Sequence, residues 1–165
     1  ALAPACKGRI WAFEPCLENF RCAEVTVLLN ALTNISLARA GLGEERGTMP
    51  LTVTDQGGLP RGGSSTFVPD VPVPAEFTES VPIVRIDDEV PPDRHVSVLQ
   101  LDVEGYEQQA LTGALGTIDR CRPAIVVEIL PNSSLRTTDW VARTILARGY
   151  RLAGTVHGNA VYLPT

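Results

Sequence analysis

The chain has 165 residues, a formal net charge of −5 and a pI near 5.0, a size that suits one domain with a substantial core. The acidic balance and the scatter of its fourteen Lys and Arg residues argue against nucleic acid as a partner. No apolar run approaches membrane-spanning length, which argues against a membrane partner. The opening ALAPACKGR lacks the long apolar segment of a signal peptide. Cys6, Cys16, Cys22 and Cys121 form no CxxC pair, so no zinc site is expected and the metal expectation is none. They read as reduced thiols of a cytoplasmic protein.

In chain order, Arg9–Phe13 (RIWAF) is a short apolar run stopped by Glu14-Pro15, as a buried parallel strand would be. After Cys16, the residues Leu17, Phe20, Val25, Leu28, Leu29 and Leu32 share one stripe at helical spacing. Asn34–Ala40 reads as another strand. From about Gly41 to Pro92 the chain holds most of its thirteen prolines and the run QGGLPRGGSS. The reading is a loop-rich insertion over about 41–95, with short strands at Met49–Thr54 and Val81–Ile86. Val96–Asp102 is a strand. Tyr106, Ala110, Leu111, Ala114, Leu115 and Ile118 form the apolar face of one helix. Ala124–Ile129 is a buried strand, and Thr138–Arg148 a helix with Trp140, Val141, Thr144 and Ile145 inward. Tyr150–Val156 and Asn159–Leu163 pair across His157-Gly158, a hairpin signal. This alternation predicts a single three-layer α/β domain over 1–165, with a mostly parallel sheet closed by an antiparallel C-terminal hairpin strand.

In open α/β sheets, ligands bind beyond the carboxyl ends of the strands. That rule selects Glu14, then Asp102 and Glu104, with Glu128 near the end of the next strand. A strand-end acid of Glu14's kind holds ribose hydroxyls about 20 residues after a glycine-rich turn. A lone Glu before Pro also reads as simple strand termination. Counting back from Glu14 runs past Ala1, so the first strand and its glycine loop are read as missing from this sequence. Asp102 and Glu104 reach the same edge if the chain turns at Gly105. The plainer reading of Glu104 and Glu107 is helix capping, where acids favour the N-terminal dipole. His95 precedes its strand, at the wrong end. His157 reads as a turn residue, Trp11 and Trp140 as core, and Ser64, Ser65 and Thr66 as part of the loop region.

The segments RIWAFEPCLENF and LQLDVEGYEQQALTGALGTIDRCRPAIVVEI resemble the FkbM-type methyltransferase family. The matching blocks are Ala12–Pro15, Asn19, Asp102–Glu107, Leu111–Ala114 and Pro123–Glu128. The resemblance runs in order along the chain and is weakest in the proline-rich middle. At the front the sequence departs from the family pattern, because ALAPACKG resembles only the tail of the helix after the glycine loop. The resemblance implies a class I, Rossmann-like methyltransferase fold, truncated at its N-terminus and using S-adenosyl-L-methionine. Glu14, Asn19 and Asp102 would then contact the cofactor, with Asp102 and Glu104 as the catalytic pair. The implied partner is a small-molecule acceptor with a hydroxyl group, on a sugar, polyketide or other natural product.

Methyl transfer to oxygen needs a nucleophile held in line with the methyl and a group that takes the hydroxyl proton, which suits a carboxylate. Two other classes stay open. A nicotinamide-dependent oxidoreductase domain shares the strand-end acid but has no use for the DVEGYE block. A truncated, non-catalytic scaffold that self-associates as a homo-oligomer would keep the fold without the chemistry. The gap left by the first strand would be closed by direct pairing of the Arg9–Phe13 and Val96–Asp102 strands, or filled by another chain.

Overall fold

The computed structural model describes residues 7–69, 71–129 and 133–165. Cys6 and most of the stretch read as a helix tail lie outside the described residues. The chain forms two compact units, one running to Gly41 and resuming over Arg46–Ile83, the other made of Leu42–Glu45 and Val84–Thr165.

In the first unit, β1 (Ile10–Phe13) is followed by α1 (Leu17–Leu29) and β2 (Ile35–Ala38). β1 and β2 pair in parallel, with Ile10 opposite Ile35 and Phe13 opposite Ala38. Pro15 has no N–H to continue the ladder, so the strand stops there. Both strands are half-buried, so β1 is not the fully buried strand that the sequence suggests. They form a two-stranded sheet of their own, whereas the strand after Ser97 belongs to a different sheet, so the direct pairing expected between them is not formed. The stripe on α1 is helical as its spacing requires, but it does not become core. No residue of α1 is buried, and Leu28 and Leu29 stand 76% and 81% exposed.

The proline-rich middle is more regular than its composition suggests. β3 (Gly41–Leu42), β4 (Gly47–Thr52) and β5 (Thr78–Val84) form a sheet in the order β3-β5-β4, with β4 antiparallel to β5. Pro50 is tolerated because β4 is an edge strand. Leu51, Val81 and Phe67 form the core beneath this sheet.

In the second unit, α2 (Ile86–Glu89), β6 (Val98–Leu101), α3 (Glu107–Thr112), α4 (Leu115–Cys121) and β7 (Ala124–Glu128) come first. Two short helices, α5 (Ser134–Thr137) and α6 (Trp140–Thr144), and the hairpin β8 (Tyr150–Val156) and β9 (Asn159–Pro164) complete it. The sheet order is β6-β7-β9-β8, with β6 parallel to β7 and β9 antiparallel to both its neighbours. His157 and Gly158 both take left-handed backbone angles, φ 48° and 84°. This is the type I′ geometry that matches the twist of a two-residue hairpin. Leu101, Ile118, Ile125, Val127 and Ile145 form the enclosed core. β6 buries only alternate residues, with Leu99 and Leu101 inward and Val98 59% exposed.

The single helix expected over 106–118 is two helices. The break falls at Gly113-Ala114 because Asp87 takes hold of the second helix from outside. Its carboxylate accepts the N–H groups of Gly116 at 2.9 Å and Thr117 at 2.7 Å, donors that the first turn of a helix leaves unpaired. Its own N–H donates to the Gly113 carbonyl at 3.0 Å. The helix expected over 138–148 is likewise shorter, giving way to a 3-10 turn at Leu146–Arg148.

Taken together this is a mixed α/β fold. Among the described residues, parallel and antiparallel pairs are distributed over three sheets, rather than the one mostly parallel sheet expected. Among the described residues, no helix is long and apolar enough to cross a membrane.

Two outcomes follow from this packing. A Cβ at Gly113 would sit 2.0 Å from the Gly43 carbonyl oxygen, whereas one at Gly47 would meet nothing within 4 Å. Gly113→Ala is therefore expected to lose about 1–3 kcal/mol or more in urea unfolding, and Gly47→Ala to leave the midpoint nearly unmoved. Equal losses would show that the close approach is not what constrains position 113.

Tyr150 is 4% exposed and its hydroxyl donates to the Pro123 carbonyl at 3.0 Å. Burial pushes its phenol above the ordinary value, with Asp119 and Cys121 adding to the rise, although Arg122 stacked over the ring at 4.7 Å opposes it. A raised phenol contributes stability fully below the unfolded value of about 10 and loses it as pH rises through the folded value. Tyr150→Phe should cost about 0.5–1.5 kcal/mol near neutrality. The difference in Tm from wild type should then shrink as pH climbs beyond about 10. A gap that stays constant with pH would contradict this account.

Candidate functional site

The parallel register of β6 on β7 sets Leu101 beside Val127. The next residue on one strand is Asp102 and on the other Glu128, so two carboxylates leave the sheet at the same carboxyl edge. Beyond Asp102 the chain turns sharply, with Glu104 at φ 48° and Gly105 at φ 95°. A left-handed non-glycine residue costs on the order of 1–3 kcal/mol and persists only where its surroundings hold it. Here the Tyr106 N–H donates to the Val103 carbonyl at 3.2 Å and the Gly105 N–H to Glu107 Oε1 at 2.8 Å. The turn brings the Glu104 carboxylate back to the edge. One carboxylate oxygen each from Asp102, Glu104 and Glu128 lie within 4.8 Å of one another.

The electrostatics follow from that crowding. Burial pushes the Glu128 carboxyl above its ordinary value. The charges of Asp102 and Glu104, a hydrogen-bond interaction with Asp102, and the charge of Glu107 all push it further the same way. Asp102 is exposed, whereas Glu104 and Glu128 are half-buried. Glu107 is 1% exposed, and beyond Oε1 its second oxygen is enclosed without a hydrogen-bond partner. Glu128 Oε2 is enclosed without a partner as well. Glu107 thus serves one backbone N–H at the turn before α3, as the capping reading has it.

The first unit has its own strand edge. Glu14 follows β1, where its N–H continues the ladder to the Ala38 carbonyl at 3.1 Å, and its Oε1 accepts the Cys16 N–H at 2.9 Å. Asn19 donates its amide to the Gly62 carbonyl at 3.2 Å. Glu79 Oε2 accepts the Leu17 N–H at 3.0 Å and pairs with Arg39 at 2.8 Å. Arg39 and Glu79 were not singled out by the sequence, because nothing in their local pattern shows that two strands bring them to the start of α1.

The remaining sequence candidates sit elsewhere. His95 is exposed ahead of β6, and His157 forms the hairpin tip. Trp11 and Trp140 are half-buried rather than core. Thr66 is buried and bridges backbone-to-backbone with Thr52, while Ser64 and Ser65 close a 3-10 turn on Arg61 and Gly62. Cys16 and Cys121 are buried free thiols and Cys22 is an exposed one.

The architecture is similar to a crystal structure of methyltransferase FkbM from Methylobacillus flagellatus KT, with a TM-score of 0.66 at 19% sequence identity. That similarity covers 94% of this chain but 36% of the other, so this chain spans about a third of that protein's length. At such identity the likeness speaks for the fold alone. No curated protein matches the chain. The family model of the methyltransferase FkbM domain matches residues 3–152, most of the chain. On that match, the chain belongs to the FkbM methyltransferase domain family.

Proposed function

We propose that this domain acts as an S-adenosyl-L-methionine-dependent O-methyltransferase on a hydroxyl-bearing small molecule, with a class I, Rossmann-like arrangement as its frame. The observation that carries the reading, beside the family match, is the pair of carboxylates at the carboxyl ends of adjacent parallel strands β6 and β7, where open α/β sheets bind ligands. The donor chemistry fits the cofactor. Glu14 gives one oxygen to the Cys16 N–H and keeps the other as an acceptor for ribose hydroxyls. Asn19 keeps its amide oxygen for the same purpose, and Asp102 offers a charge partner for an ammonium group. When bound, the cofactor supplies a methyl group on a good leaving group.

The chain's own residues then orient the acceptor and take its proton. Asp102 is exposed at this edge, so it is the base in this reading. Glu104 stands beside it on the strained turn and helps orient the acceptor. Burial first, and then the neighbouring carboxylates, raise the Glu128 carboxyl above its ordinary value, so it holds a proton more readily than a free glutamate. A cytoplasmic setting agrees with the free thiols.

Calorimetric titration with S-adenosylhomocysteine tests the cofactor half. Saturable binding is expected, weakened about 10- to 100-fold by Glu14→Ala, in line with about 1.5–3 kcal/mol for hydrogen bonds to a charged group. Binding of NAD instead would turn the assignment toward the oxidoreductase class. Absence of both would leave the scaffold reading standing. Against a panel of hydroxylated acceptors, Asp102→Asn should lower turnover by about 100-fold or more without lowering Tm. A variant that unfolds would make Asp102 structural.

A further inference from the structure

Glu107 has no part in the chemistry proposed above, yet its carboxylate is among the most enclosed side chains of the second unit, at 1% exposure. It opens α3, and the N–H it accepts at 2.8 Å belongs to Gly105, which precedes Tyr106, the cap residue of that helix. The bond therefore ties the turn to the helix. Residues 103–106 form this turn, closed by the Tyr106 N–H on the Val103 carbonyl at 3.2 Å. Both central residues stand at positive φ, 48° for Glu104 and 95° for Gly105, as in a type I′ turn. A type II turn would suit a Glu-Gly pair better, because it needs positive φ only at the second position, where glycine stands. Glu104 is thus held in a conformation that its own turn does not demand. From outside the turn, Glu107 takes hold of the peptide between Glu104 and Gly105, whose orientation follows the backbone angles of both residues. A hydrogen bond to a carboxylate is about twice as strong as one between neutral groups, and enclosure keeps water from competing for it.

We propose that Glu107 is a positioning residue for methyl transfer: by holding the peptide after Glu104, it keeps the Glu104 carboxylate at the edge beside Asp102. This role rests on the methyltransferase reading, in which Asp102 takes the proton and Glu104 orients the acceptor. One oxygen each from Asp102, Glu104 and Glu128 lie within 4.8 Å of one another, so a shift of Glu104 by about 1 Å is a large part of that spread. A misplacement of that size costs on the order of 100-fold in rate. Two features of Glu107 can be separated by substitution. Glutamine keeps a carbonyl acceptor at the same length and removes the charge, which also acts on Glu128. Alanine removes both and leaves the Gly105 N–H without this acceptor.

The test measures kcat and KM of the full chain, well below each Tm, on the hydroxylated acceptor that the wild type methylates. Glu107→Ala should lower kcat by about 10- to 100-fold and leave the KM for S-adenosyl-L-methionine within about twofold. Glu107→Gln should recover most of that loss, because the bond to Gly105 survives. Should Glu107→Ala not fold, Glu107→Asp replaces it, keeping the charge and drawing the oxygen back by one methylene; the same loss is expected. Glu104→Ala supplies the decisive background. If Glu107 acts through Glu104, adding Glu107→Ala to Glu104→Ala should lower kcat no further, since residues that act as a unit are not additive. A role in folding alone would instead give additive losses. Three results would overturn the positioning role while the methyltransferase reading stands: unchanged kcat in the Ala or Asp variant, a Gln variant as slow as the Ala variant, or additive losses in the double variant. A wild type that neither binds S-adenosylhomocysteine nor methylates any acceptor would overturn that reading and this role with it.

Discussion

The parallel pairing of β6 with β7 is the constraint from which the chemistry of this domain follows. The two strands are held in register by enclosed residues, Leu101 on one and Val127 on the other. A slip of one residue would turn both faces over and expose that core. The same register leaves no freedom in where the strands end, so Asp102 and Glu128 leave the sheet together. The packing below the edge thus dictates the crowding of negative charge on it. The strained turn at Glu104 and Gly105 adds a third carboxylate, and Glu107 holds that turn through the Gly105 N–H.

Most of the acids of this chain have a structural partner that can be named. Asp87 spends both carboxylate oxygens on the N–H groups that open α4. Glu79 serves the first N–H of α1 and the Arg39 guanidinium. Glu14 caps the turn after β1 through the Cys16 N–H. These are structural uses, in which a carboxylate replaces the partner that a helix end or chain reversal lacks. At the β6–β7 edge, Glu107 likewise gives one oxygen to the Gly105 N–H, while its other oxygen and Glu128 Oε2 are enclosed without a hydrogen-bond partner.

Glu14 shows how one residue answers to two readings. Strand termination is visible in its ladder bond to Ala38 and its turn contact with Cys16. The ribose assignment concerns its other oxygen. Local structure and cofactor recognition are not exclusive here, because a carboxylate has acceptor sites for both. Glu104 combines roles in a related way. It sits in a backbone conformation disfavoured for glutamate, and its position at the acidic edge depends on that conformation.

The sequence by itself determined every strand but β3, the closing hairpin, the family, and the acids Glu14, Asp102 and Glu104 beyond strand ends. Those features are written in short-range pattern: apolar runs of strand length, a two-residue turn at His157-Gly158, and the DVEGYE block. Only the tertiary structure decided the break between α3 and α4, because it is made by Asp87 and by Gly43, neither near it in sequence. It also decided that the proline-rich middle pairs into a sheet, and that no residue of α1 becomes buried although its apolar stripe keeps helical spacing. Periodicity shows which residues share a face, but not whether anything covers that face. The acidic cluster has the same origin. Asp102 and Glu128 are separated by a whole helical crossover, and only the register of two parallel strands makes them neighbours.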